Sequence, residues 1–330
     1  MKAVICEKFA PLQDLVYTDV PEPIAGPGEV VIDIHASGVN FPDGLVVQGL
    51  YQIKPSLPFI PGTEVAGRIS ALGEGVTDFN VGDRVIGSCG VGGYAEKVVC
   101  AAVHTLPIPN ELSYEEAASL ITAHATAQYA LKQRGQLRAG ETLVVLGAAG
   151  GTGLAAVQIG KTMGATVIAV CSTQEKLDLA QANGADILIN YNIQDLKTTL
   201  KEITQGQGVD VVYDAVGGDA FYACARCMAW GGRLLVIGFA SGCIPQFPVN
   251  LALVKGYSVV GVFYGAFASR LPDECANNLT ELMNWYQQGK IKVVIDEIFP
   301  LSEAANALEK VMQRQVKGKV VLKPQEHLLE

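Results

Sequence analysis

The chain has 330 residues, 49% of them hydrophobic and 17% charged, with 33 Asp+Glu against 24 Lys+Arg for a net charge of -9. That is enough apolar material to bury cores in about two domains, and it excludes a disordered chain. No apolar run reaches membrane-spanning length, and an acidic chain without a Lys/Arg run is a poor partner for nucleic acid, whose protein affinity comes from phosphate neutralisation. Eight cysteines are too sparse and irregular for a disulfide framework. Met1-Lys2-Ala3-Val4 leads straight into strand-like sequence with no signal-peptide pattern, so a cytoplasmic protein with reduced thiols is expected.

Residues 1 to about 120 carry short β-rich runs such as Val30-Val31-Ile32-Asp33-Ile34, punctuated by Pro21, Pro23, Gly26-Pro27-Gly28, Pro58, Pro61-Gly62 and Gly92-Gly93. A β-rich domain follows. At Ser113 the pattern changes: Ser113-x-x-Glu116 is a capping-box signal, and Ala117, Ala118, Leu120 and Ile121 continue it as a helical bridge. From residue 141 strands and helices alternate. Leu143 to Leu146 and Val167 to Val170 are continuous apolar runs, as expected of parallel strands covered on both faces. Between them Leu154, Val157, Gln158 and Lys161 lie at helical spacing, and Gly164 ends that helix.

The alternation repeats. Ser172-x-x-Glu175 opens a helix stopped at Asn183-Gly184, and Leu196, Leu200 and Ile203 mark another that ends at Gly206. Strands follow at Val209 to Tyr213, Leu234 to Ile237 and Ser258 to Val262, giving a doubly wound α/β domain. The stripe Leu279, Leu282, Met283, Tyr286 predicts a helix stopped at Gly289, and another begins near Ser302. The final run Val320-Val321-Leu322 has no place in the completed α/β unit, so the chain is expected to return to the N-terminal β domain.

The chemistry-bearing motif is Gly147-Ala148-Ala149-Gly150-Gly151-Thr152-Gly153, set between an apolar strand and a helix as a dinucleotide-binding turn requires. Gly150 would let the backbone approach a pyrophosphate and Gly153 would let helix and strand pack closely. Gly151 and Thr152 open a helix whose N–H groups and dipole favour an anion. Ala148 departs from the first glycine of G-x-G-x-x-G. At the end of the next strand, where NAD-binding sites carry an acid for the ribose hydroxyls, this chain has Cys171, followed by Ser172, Thr173 and Lys176, with Tyr191 further on. Hydroxyls and a cation there favour the 2′-phosphate of NADPH over NADH.

Several stretches carry a family resemblance. They are Ser37-Gly38-Val39-Asn40-Phe41-Pro42-Asp43, Gly49-Leu50-Tyr51, Pro61-Gly62-Thr63-Glu64-Val65-Ala66-Gly67, Val81-Gly82-Asp83-Arg84-Val85, Gly92-Gly93-Tyr94-Ala95-Glu96 and Val211-Val212-Tyr213-Asp214-Ala215-Val216-Gly217. With the glycine-rich turn, they make the chain resemble a zinc-free quinone oxidoreductase of the medium-chain dehydrogenase/reductase superfamily, near the zeta-crystallin-like enzymes. The resemblance implies a GroES-like catalytic domain at 1–122 and 264–330 around a Rossmann domain at 123–263, commonly in a dimer. It also implies that Asn40, Asp43, Tyr51 and Thr126 surround the nicotinamide and substrate. Tyr129, Val216, Gly238, Phe239, Phe263 and Tyr264 would lie along the cofactor.

Zinc-dependent members similar to this chain place Cys where it has Asn40 and His where it has Thr63, and carry a four-cysteine loop that it lacks. No metal site is expected, since an amide and a hydroxyl replace thiolate and imidazole. Cys224-x-x-Cys227, placed on a predicted helix, has no second pair. No Ser/His/Asp or Cys/His constellation emerges from the four histidines, of which only His124 falls near the inferred site. The reading is therefore metal-independent hydride transfer from NADPH to a quinone, whose reduced anion water or Tyr51 would protonate. Reduction of an α,β-unsaturated carbonyl is the second enzymatic reading, and an NADPH-binding structural or RNA-binding protein is a reading of another class. The run Tyr257 to Val262 reads either as a dimer-forming edge strand, as the resemblance suggests, or as an ordinary internal strand.

Overall fold

The structure, a computed structural model, describes residues 1–327. The chain divides into two compact units, Met1–Thr122 joined by the segment from Val293 onward, and Ala123–Lys292. In the first, β1 (Lys2–Ile5) pairs antiparallel with β2 (Val16–Asp19). The main sheet is built on the 11-residue β3 (Glu29–Val39), which pairs antiparallel with β4 (Glu64–Leu72) and with β6 (Lys97–Ala101), while β5 (Arg84–Ser88) joins β4 to β7 (Thr105–Pro107). Register shifts at Val31/Ile32 and Ile34/Ala36 mark irregularities in β3, of the kind that bend and twist a strand. Val30, Ile32, Ile34, Val65, Ile69 and Val85 pack into one core, each side chain contributing roughly 2 kcal/mol by leaving water.

Two short helices belong to this part. α1 (Phe41–Val47) starts where Asn40 is still extended (φ −125°, ψ 151°), with Pro42 in the first turn, where a missing N–H costs nothing. α2 (Tyr114–Ala117) opens with the expected capping box: the Ser113 hydroxyl accepts the Glu116 N–H at 3.2 Å, and the Glu116 carboxylate accepts the Ser113 N–H at 3.4 Å. The helical bridge continues as wide π-type turns, Ile121–Ala125 and Ala130–Arg134, flanking α3 (Thr126–Tyr129).

The second unit alternates as expected: β8 (Thr142–Leu146), α4 (Gly151–Thr162), β9 (Thr166–Cys171), α5 (Gln174–Ala182), β10 (Ile187–Asn190), α6 (Leu196–Ile203), β11 (Val209–Asp214), α7 (Gly218–Ala225), β12 (Met228–Val236), α8 (Asn250–Lys255) and β13 (Ser258–Gly261). The six strands are parallel in the order β10-β9-β8-β11-β12-β13. Strand order reverses at β8, and in open α/β sheets the crevice beyond the carboxyl ends at such a switch point binds ligands. α4 is buried from Gly153 to Gly160, and a Cβ at Gly160 would strike the Leu143 side chain, so a glycine lets helix and strand approach. Thr173, not Ser172, caps α5, its hydroxyl accepting the Lys176 N–H at 3.3 Å. Cys224 lies in α7 but Cys227 falls beyond its end, and both thiols are buried and pushed up by burial.

α9 (Tyr264–Arg270) and α10 (Pro272–Gln287) complete this unit, which corrects the expected domain boundary. The family resemblance implies a return to the β domain at residue 264; in the structure the return comes at Val293. Side-chain bonds explain the difference. Phe267 stacks on Tyr129 with centroids 4.1 Å apart, Lys132 pairs with Glu281 at 2.6 Å, and Gln133 donates to Asn278 at 3.0 Å. The chain then forms β14 (Ile295–Pro300), α11 (Ala304–Met312) and β15 (Lys319–Lys323). β15 pairs parallel with β14 and antiparallel with β3, Val320 opposite Val39, which is the expected return to the β domain. The end of the expected domain, residues 328–330, lies outside the described residues.

Candidate active site

In the second unit the residues expected at the cofactor follow the carboxyl ends of the parallel strands, except Tyr129, which lies on α3 ahead of β8. The turn after β8 is closed by the Val170 carbonyl, which accepts the Gly147 N–H at 3.1 Å, and Gly147 takes a φ of +69° that favours glycine. A Cβ at Gly153 would collide with the Gly147 carbonyl, so that glycine serves packing. Gly150 differs. Its φ is −78°, and an added Cβ would meet only the Gly147 oxygen at 3.6 Å, so neither backbone strain nor internal packing demands a glycine there. What it leaves is room over the N-terminus of the 12-residue α4, beside Gly151. The Thr152 hydroxyl is engaged inside the unit, 2.5 Å from the buried Tyr213 hydroxyl, so this residue has its backbone N–H to offer a ligand.

At the end of β9 the tertiary structure gathers Ser172, Thr173, Lys176 and Tyr191. The Tyr191 N–H donates to the Cys171 carbonyl at 3.1 Å, and Asn192 Nδ2 donates to the Ser172 carbonyl at 2.8 Å, binding the two strand ends together. The Cys171 thiol is buried and pushed up to about 11, by burial first, against hydrogen bonds from the Ala149 and Ala148 backbone and the nearby Lys176 charge. It behaves as a small neutral side chain between the glycine-rich turn and the lysine.

Beyond β11, Asp214 Oδ1 accepts the Val216 and Gly217 N–H groups, each at 2.8 Å, which fixes the loop; burial raises its carboxyl against those two bonds. The Ala240 and Ser241 N–H groups bond the Ala215 and Val216 carbonyls, so Val216, Gly238 and Phe239 lie on adjoining loops. Phe263 is exposed after β13, while Tyr264 and Tyr129 both pack on Phe267, at 6.2 and 4.1 Å between centroids. Thr126 stands half-buried on α3, one turn from Tyr129. His124 is buried in the preceding turn.

In the first unit Asn40 and Asp43 come together at the start of α1. Asp43 Oδ2 accepts the Asn40 N–H and the Tyr94 O–H, both at 2.9 Å, and its buried Oδ1 has no hydrogen-bond partner among the described residues. Burial pushes this carboxyl up to about 7, against those two bonds. Tyr51 is half-buried, and burial with the neighbouring Asp43 charge raises its hydroxyl. The Asn40 amide is committed inward: Nδ2 donates to Glu64 Oε1 at 2.8 Å and Oδ1 accepts from Lys319 Nζ at 2.5 Å.

Glu64, Tyr94 and Lys319 are the polar residues that reading by motif missed as site components. A signal existed for Lys319, a charge inside the apolar strand Lys319-Val320-Val321-Leu322, because a buried ammonium needs a partner. That partner, Glu64, is 2.7 Å away.

These two units are what the chain shares with known proteins. Residues 26–110 match the alcohol dehydrogenase GroES-like domain and residues 151–285 the zinc-binding dehydrogenase family. Quinone oxidoreductase-like protein 2 of Bos taurus is 38% identical over 323 residues, covering 97% of this chain and 92% of that protein. Among solved structures, the Escherichia coli quinone oxidoreductase complexed with NADPH is 30% identical with a TM-score of 0.93, covering 98% of this chain and 100% of that one. A 2-haloacrylate reductase is 32% identical with a TM-score of 0.85, covering 98% and 100%. The chain belongs to the medium-chain dehydrogenase/reductase superfamily, among its quinone oxidoreductase-like members. It is an oxidoreductase with a nicotinamide-nucleotide-binding domain.

The zinc in the name of one matching family does not fit this donor set. The carboxylate beside Asn40 is already paired with the Lys319 ammonium, which lies among the same oxygens and would repel a divalent ion placed there. Among the described residues no group of three or more His, Cys, Asp or Glu is arranged to hold a metal, and no helix is long and apolar enough to cross a membrane.

Proposed function

We propose that this protein is an NADPH-dependent quinone reductase that works without a metal. The observation that supports this most is the end of β9, where Cys171 takes the place of a ribose-binding acid and Ser172, Thr173, Lys176 and Tyr191 stand together beside the glycine-rich turn. A carboxylate there would repel a 2′-phosphate, whereas hydroxyls and an ammonium suit it. The open space at Gly150 and the α4 N-terminus would take the pyrophosphate, with the Gly151 and Thr152 N–H groups as donors.

Bound NADPH supplies a hydride from its nicotinamide ring, and the protein's task is orientation and exclusion of water. Val216, Gly238, Phe239, Phe263, Tyr264 and Tyr129 would hold the nucleotide along the strand ends. Asn40 and Thr126 would border the nicotinamide and its acceptor. Leu50 and Ile53, 69% and 57% exposed on either side of Tyr51, give this segment an apolar surface suited to a flat conjugated acceptor. A quinone that takes up hydride is left as an anion, which water or the Tyr51 hydroxyl would protonate; burial and the neighbouring Asp43 raise that hydroxyl, so it would hold its proton until a basic anion forms beside it. Water then restores the proton.

The test is oxidation of NADPH by purified protein with a quinone and, in parallel, an enone. Turnover with the quinone is expected. Turnover with the enone alone would support the second reading, which the 2-haloacrylate reductase similarity favours, and turnover with neither would overturn both. Cytoplasmic location and a homodimer belong to the same proposal. For the dimer, β13 ends its sheet, and Trp230, Leu253 and Val254 are exposed at 83%, 82% and 74% near that edge. Light scattering at the monomer mass would sink it.

A further inference from the structure

The oxygens around Lys319 form a closed cage for a cation. Its Nζ lies 2.5 Å from Asn40 Oδ1, 2.7 Å from Glu64 Oε1 and 3.4 Å from the Val39 carbonyl, an acceptor for each of the three ammonium N–H groups. The Lys319 and Glu64 side chains are 5% and 1% exposed. Glu64 is fully used in turn: Oε1 also accepts Asn40 Nδ2, and Oε2 accepts the Thr122 N–H at 2.7 Å. A Cβ on Gly38 would collide with the Glu64 carboxylate and with the Ala118 carbonyl, so the glycine there is what lets the carboxylate lie against β3.

Stability alone is a poor reason for such a cluster. Desolvating an ammonium and a carboxylate offsets most of their attraction, and a well-packed neutral pair commonly serves a fold as well or better. What the charge pair does that a neutral pair does not is orient the amide between them. The Asn40 oxygen must face the ammonium and its NH₂ the carboxylate. With the side chain held, the Asn40 backbone N–H meets Asp43, which in turn holds the Tyr94 hydroxyl. One chain of hydrogen bonds thus runs from β15 to the start of α1.

We propose that Lys319 is a positioning residue: its ammonium is the resident cation of the Asn40, Glu64 and Val39 oxygen cage, and through Asn40 it sets the start of α1, which carries Asp43 and leads to Tyr51. Its effect on turnover rests on the hydride-transfer reading above; the cage itself does not.

The decisive variant is Lys319→Ala, which removes the cation and leaves the oxygens. Calorimetry with n-propylammonium chloride, the same head group on a stem fitting the vacated space, is expected to show saturable one-to-one heat with K319A and none with the unaltered protein. No heat with K319A overturns the cage. With NADPH and a quinone, K319A is expected to lose about ten- to a hundredfold in kcat while its NADPH KM moves less than about twofold, because misplacement of a reacting group is costlier than its size suggests. Propylammonium should restore the rate, and tetramethylammonium at equal ionic strength should not; equal recovery with both salts overturns the positioning role.

The paired variant Glu64→Gln with Lys319→Met fills the same space without charge and guards against a single variant that does not fold. It is expected to melt within about 5 °C of the parent yet keep the loss in kcat. If rate and melting temperature recover together, Lys319 is structural only and the proposal fails. If the parent reduces neither a quinone nor an enone, the hydride reading fails, and the calorimetric arm still decides the cage.

Discussion

The start of α4 and the start of α1 are both helix N-termini surrounded by polar groups, but one is open and the other closed. At α4 the turn carries no charged side chain of its own, Gly150 leaves space, and the first N–H groups of the helix are available to a ligand. At α1 the fold supplies its own partners: Asp43 caps Asn40, Tyr94 bonds Asp43, and Lys319 with Glu64 clamps the Asn40 amide. The first is where the proposed function would seat the cofactor's pyrophosphate. The second meets its polar groups from within the fold.

Gly153→Val should break the open site most severely. Its side chain would occupy the space of the Gly147 carbonyl, so NADPH affinity measured by fluorescence titration should fall by at least about a hundredfold. Unchanged affinity in a folded variant would refute the assignment of this turn.

Asp43→Asn probes the closed site through pH. A carboxyl pushed up to about 7 in the fold binds more protons folded than unfolded between about pH 4 and 7. Its share of stability is therefore present at low pH, falls as pH rises through that window and levels off above it. Relative to the parent, D43N should gain on the order of 2 kcal/mol between pH 5 and pH 8, read from melting curves. A parallel pair of curves would show that Asp43 is not proton-loaded.

Lys176→Ala sharpens the open site. NADPH affinity should weaken by about tenfold and NADH affinity by much less, since one charged hydrogen bond to the 2′-phosphate is lost. Equal losses would move the phosphate elsewhere. The smallest effect belongs to Tyr94→Phe, expected to cost about 1 kcal/mol in denaturant unfolding and to raise the Asp43 carboxyl further, because the lost bond was holding it down.

Much of the open site was legible in order along the chain. The strand before Gly147, the helix that begins at Gly151 and the missing acid at Cys171 follow one another in sequence, and local periodicity with glycine spacing is enough to find them. Thr173 in place of Ser172 as the α5 cap shows the limit, since two adjacent hydroxyl residues compete and backbone direction chooses. The misplaced boundary at 264 has the same cause. α9 and α10 read as helices either way, and only the Phe267 stack and the Lys132–Glu281 pair assign them to the second unit.

The sequence by itself determined the alternation of strands and helices, the glycine-rich turn and the return of the last strand, because these rest on contacts between residues close in the chain or on apolar runs that must be covered. Only the tertiary structure decided which charges meet. Lys319 is separated from Asn40 by 279 positions and from Glu64 by 255, and whether a lone buried lysine is a fault or a clamp depends on which oxygens pairing of β15 with β3 brings to it.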